Sequence, residues 1–180
     1  ATASAGALRI SNTSGSHTNI GGGAIWTSGA ITANGAGSTF KGTATNDNAA
    51  TGYVGEYVSS TVASGSAVSL TTDTTSNVTS ISLTAGDWDV SGSVGFHQGA
   101  STVGTIYYAG ISTTSATLLG DAYQNYVPGV TTAGATYGKI GTPNVRISVS
   151  GTTTVYLVSR STFSTSTMDA FGEIRARRIR

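Results

Sequence analysis

The chain has 180 residues, no cysteine, a formal net charge of +1 and only 9% charged residues. That length suits one domain or a domain with a short appendage. The missing cysteines exclude a disulfide framework and a thiolate metal site, and the near-zero charge gives no basis for nucleic-acid binding. Ser, Thr and 25 glycines stand where charges would be, and helix formers are scarce; branched Thr suits strands and Gly suits turns, so the composition reads all-β.

Residues 1–45 are rich in Gly, Ala, Ser, Thr and Asn, with apolar islands at Leu8, Ile10, Ile25, Trp26, Ile31 and Phe40. Gly23-Ala24-Ile25 recurs as Gly29-Ala30-Ile31, and Gly35-Ala36 follows. Short strands with a regular turn predict a Gly-rich β stem or small prism in which each chain buries little alone. Asn46-Asp47-Asn48 is a turn signal that separates this stem from a second unit, residues 46–180.

In that unit, Tyr53–Ser60 reads as a strand and Val68-Ser69-Leu70 as a short one, and Ser80–Leu83 alternates. After the turn Ala85-Gly86-Asp87, the residues Trp88, Val90, Val94 and Phe96 share one face, while Asp87, Asp89, Ser91 and Ser93 share the other. This is the pattern of a half-buried strand, with Gly92 on the inward face where a close neighbour is expected. Ile106–Ile111 is apolar on both faces. In one small sandwich the second cover is expected from another subunit, which also fits the low surface charge, since monomers usually stay soluble through charge. Ser112–Thr136 is polar and reads as loop-rich. Val145–Val149 alternates, Ser150-Gly151-Thr152 reads as a hairpin turn, and strands follow around Val155–Val158 and from Phe171 to Arg180. Strands at this spacing predict an antiparallel β-sandwich or jelly roll. There is no run of 18 apolar residues, so no membrane insertion is expected. The start Ala1-Thr2-Ala3-Ser4 has neither the look of a signal peptide nor a Met, which suggests a fragment or processed chain.

The stretch SISLTAGDWDVSGSVGF, Ser80 to Phe96, resembles a segment that recurs in bacteriophage and prophage tail-fibre proteins. The ending GEIRARRIR, Gly172 to Arg180, resembles the basic alternating strand that often closes them. The likeness covers residues 46–180, and the aspartate-tryptophan turn also suits trimeric jelly rolls of complement and tumour-necrosis type. The resemblance implies a homotrimer in a virion tail fibre, joined to other virion proteins through its N-terminal side, extracellular after release, and binding a bacterial surface glycan or other receptor at its tip. A structural virion part such as a capsid decoration or head fibre is the alternative. A polysaccharide depolymerase is the third reading.

No catalytic set stands out. With serines everywhere, pairing one with His17 or His97 and an aspartate is arbitrary. Asp87 and Asp89 share a strand face, but glycosidase carboxylates normally come from different elements. One carboxylate in Asn46-Asp47-Asn48 is too little for Ca²⁺, and Gly21-Gly22-Gly23 lacks the lysine and helix of a phosphate loop. The expectation is a non-enzyme without cofactor or metal. Arg175, Arg177, Arg178 and Arg180 suit an ion-pair network with Glu173, Asp169, Asp87 or Asp89, and alternatively a phosphate-bearing glycan. Sugar recognition combines aromatic faces with amides and carboxylates. Asp121, Tyr123, Gln124, Asn125 and Tyr126 offer that set in an expected loop, with His97 and Gln98 as a smaller set.

Overall fold

The computed structural model describes residues 45–129, 133–134 and 137–180. The expected stem, and with it His17, lies outside them except for Thr45. The described residues form ten strands: β1 (Tyr57–Val62), β2 (Val68–Ser69), β3 (Ser76–Leu83), β4 (Gly86–Gln98), β5 (Val103–Ser112), β6 (Gln124–Pro128), β7 (Tyr137–Gly141), β8 (Val145–Val149), β9 (Thr153–Ser164) and β10 (Met168–Arg178). Among the described residues there is no α-helix, only a 3-10 turn at Ser64–Ser66. The all-β expectation therefore holds, as two antiparallel sheets.

One sheet runs β1-β10-β4-β7, with β2 added on β10 and β8 on β4; the other runs β3-β9-β5-β6. Side chains alternate as the pleat demands. Trp88, Val90, Val94 and Phe96 of β4 are fully buried, and Met168, Ala170, Ile174 and Ala176 of β10 lie beside them. Leu83, Tyr107, Ala109, Ile111, Val155 and Leu157 of the four-stranded sheet belong to the same core. Gly92 leaves room for close neighbours on the inward face. A Cβ there would sit 2.9 Å from Leu157 Cδ1 and 2.6 Å from the Glu173 carbonyl oxygen.

Four local expectations change. β1 starts at Tyr57 rather than Tyr53, because Tyr53 N–H donates to the Ala50 carbonyl and Glu56 N–H to the Tyr53 carbonyl, closing two tight turns. Ser150-Gly151-Thr152 is not a hairpin: β8 pairs with β4 and β9 with β3 and β5, so the turn crosses between sheets. This lets Val145 and Ile147 meet the core from one side and Val155 and Leu157 from the other. The polar stretch after Ser112 contains a real strand, β6, and β7 follows without any sequence signal read for it. Arg178 is 4% exposed and points inward, because β10 keeps its alternation to its last residue.

Arg178 organises that end of the sandwich. Its Nε donates to Glu56 Oε2 at 2.9 Å, its Nη1 to the Ala85 carbonyl at 2.7 Å and its Nη2 to Thr84 Oγ1. Its guanidinium lies 4.3 Å over the Trp88 ring, whose Nε1 donates to the Thr84 carbonyl. Burial raises the Glu56 pKa, but the Gly52 N–H and Arg178 outweigh it, and the net shift is downward. Beside this pair, Asp87 is also buried and takes both Arg146 and Arg180. The Arg146 hydrogen bonds are the main reason its pKa falls to about 2; burial opposes them, and Ser148 and Arg180 add to them.

Candidate binding platform

The residues singled out in the sequence fall in three different places. Gln124, Asn125 and Tyr126 belong to β6, so alternate side chains point to opposite faces. Tyr126 is cross-strand from Tyr108 and is 59% exposed on the outer face of the four-stranded sheet. Tyr123, just before the strand, packs against the core instead. Asn125 donates to the Gly141 carbonyl at 2.7 Å and ties β6 to β7 of the other sheet. Gln124 donates at 3.4 Å to Asp121, which is exposed in the preceding turn. His97 is on the outer face of the opposite, six-stranded sheet, where its ring stacks on Phe171 with centroids 4.6 Å apart. Gln98 turns inward to the Tyr107 hydroxyl. The tyrosine pair and the His97-Gln98 pair thus do not form one site.

What the fold does assemble is a row across three strands. Tyr126 of β6 faces Tyr108 of β5, and Tyr108 faces Arg160 of β9. The two rings are 5.5 Å apart between centroids and tilted by 36°. The Arg160 guanidinium lies 4.6 Å over the Tyr108 ring. On one side the next row is Pro128, Ile106 and Thr162, whose hydroxyl is held by Asp73. The result is an aromatic and apolar surface with one cation, on the edge of a rigid sheet.

The other side of the row is walled by the segment after β5. Asn77 Nδ2 donates to Ser115 Oγ at 2.7 Å, and Asn77 Oδ1 accepts from the Ala116 N–H at 2.7 Å. Leu118 reaches Gly110, coming within 2.9 Å of where a Cβ would be. Between these two anchors, Val158 is fully buried although it points outward from β9. Part of the outer cover expected from another subunit is thus supplied by the chain itself.

Tyr108 and Arg160 were not among the residues singled out in the sequence. Alternation alone puts Tyr108 with Ile106 and Arg160 with Val158, but only strand pairing brings either beside Tyr126.

A concavity of about 320 Å³ lies on the outer face of the six-stranded sheet, lined by Tyr57, Asp89, Ser91, Asn144, Arg175 and Arg177. Arg175 Nε donates to Ser91 Oγ at 3.4 Å. Glu173, Arg175 and Arg177 make no ion pair among the described residues. The network expected for the terminal arginines therefore forms only for Arg178, with Glu56, and for Arg180, with Asp87. No protein-family model, curated protein or solved structure matches this chain.

Proposed function

We propose that this chain is the tip module of a bacteriophage tail fibre, a homotrimer that attaches to a glycan on the bacterial surface and catalyses nothing. The observation that carries the reading is the Tyr126–Tyr108–Arg160 row. An exposed aromatic face covers the apolar side of a pyranose, and flanking polar groups meet its hydroxyls. A rigid sheet edge presents that surface without ordering cost. The strand order, with β1-β10-β4-β7 in one sheet and β3-β9-β5-β6 in the other, supports a jelly roll of two Greek keys. Glu173, Arg175 and Arg177, of mixed sign and unpaired within the chain among the described residues, support a further copy meeting the six-stranded sheet. Three copies of a weak site would then give firm attachment through avidity. Against catalysis stands the state of the tightest carboxylate pair, Asp87 and Asp89: Asp87 is buried and engaged by two arginines, which hold it ionised and unsuited to act as a general acid.

The test is adsorption. Purified chain should bind susceptible bacteria and block particle attachment, and Tyr126→Ala should abolish both with an unchanged melting temperature. Tyr123 is left intact, since its ring belongs to the core. A chain that attaches to the particle and never to cells overturns this reading in favour of a structural virion part.

A further inference from the structure

We propose that the platform selects anionic saccharides, with a carboxylate or phosphate of the ligand seated against Arg160 and its sugar ring over Tyr126. This rests on the glycan-binding reading and adds the sign of the ligand's charge.

The chain treats its arginines differently. Arg178 has a carboxylate, a carbonyl and a hydroxyl around its guanidinium. Arg146 and Arg180 share the Asp87 carboxylate. Arg160 has no carboxylate within ion-pair distance among the described residues. Asp73, beside the next row of the platform, accepts the Thr162 hydroxyl instead.

Arg160 is nevertheless not a freely solvated arm. It is half-buried, and its Nε is closed off from solvent without an acceptor. Its flat face rests on Tyr108. A cation held this way has already lost part of its hydration, so pairing with an anion costs it less and the lower local dielectric strengthens the attraction. The planar fork of donors matches a carboxylate or phosphate, and holding it against an aromatic ring reduces the rotamer entropy lost on binding. Arg160 and Tyr126 are separated by two strand spacings, roughly 10 Å. That leaves room for a sugar ring and its charged substituent along the row.

Binding of three immobilised probes to the full chain separates the possibilities: an oligogalacturonate, its methyl ester, and an oligosaccharide bearing a phosphomonoester. Wild type should retain the oligogalacturonate or the phosphorylated probe, or both, and which of them identifies the ligand's acid. Retention of the methyl ester should be weaker, and acidic binding should fall as salt rises. Arg160→Gln should lose about tenfold or more on the acidic probes, the scale of a lost charge-assisted contact, and clearly less on the methyl ester. Arg160→Lys should recover part of the loss, because charge returns without the fork. Equal retention of charged and esterified probes by wild type, equal retention of the acidic probes by Arg160→Gln and wild type, or retention of neither acidic probe overturns the proposal. In those cases the glycan reading stands if the chain still adsorbs to cells through Tyr126, and it falls separately if Tyr126→Ala adsorbs normally.

Discussion

At the scale of single residues, the charges that matter most for stability are buried ones. Arg178 and Glu56 form an ion pair with side chains only 4% and 8% exposed. Removing one partner leaves the other charge buried, so Arg178→Ala should destabilise by about 3–5 kcal/mol, whereas Glu56→Gln combined with Arg178→Met should cost clearly less; urea unfolding of the two variants decides it. Gly86 is tied to the same pair. Its φ is +144°, and a Cβ would lie 1.9 Å from Arg178 Nη1, so Gly86→Ala should displace the guanidinium from Trp88. Trp88→Ala should itself cost about 3–5 kcal/mol, the range for deleting a buried aromatic ring. The Trp88 fluorescence, read in a Trp26→Phe background, should resist iodide.

Asp87 supplies a pH dependence whose sign follows from its shift. Its pKa falls from 3.8 to about 2 on folding, chiefly through Arg146. The unfolded chain therefore binds the proton more readily, and the stabilisation is complete above the unfolded value and lost as pH falls from 3.8 toward 2. Glu56, also shifted downward, adds in the same direction. Asp87→Asn should lower stability at neutral pH and flatten the acid limb of a melting-temperature profile. An unchanged acid limb would mean that Asp87 is not paired in the folded state.

At the scale of elements, the segment between β5 and β6 matters most, because it walls the platform and buries Val158. Its polar attachment to β3 runs through one side chain, Asn77, with bonds to Ser115 and Ala116. Asn77→Ala removes both and should destabilise by about 1–3 kcal/mol. Amide exchange at Ala116 should speed up while β9 stays protected. The strand pattern of β4, its inward glycine and the alternation of β10 were legible in the sequence, because each has one face in the core and one outside it, and period two is then unavoidable. β6 was not, because its five residues, Gln124 to Pro128, put polar side chains on both faces. Periodicity carries no signal when a strand sits at an edge and neither face is uniformly apolar.

At the scale of the whole molecule, the proposal predicts three chains in solution. Light scattering at micromolar concentration should give a trimer, and reversing the sign of the six-stranded sheet's outer face with Arg175→Glu and Arg177→Glu should weaken it. A monomeric mass for wild type would remove the avidity on which weak glycan binding depends. Obligate interfaces also tie stability to assembly, so the melting temperature should rise with chain concentration.

The sequence by itself determined the secondary-structure class and the inward faces of β4 and β10. Both are local consequences: Thr and Gly in place of helix formers, and apolar residues at every second position. Only the tertiary structure decided that Tyr123 and Tyr126, three residues apart, belong to core and surface respectively. It alone brought Tyr108 and Arg160 to Tyr126 from strands that begin 21 residues before and 29 after Gln124. The physical reason is that a row across a sheet is set by hydrogen-bond register, which leaves no trace in the spacing along any one strand.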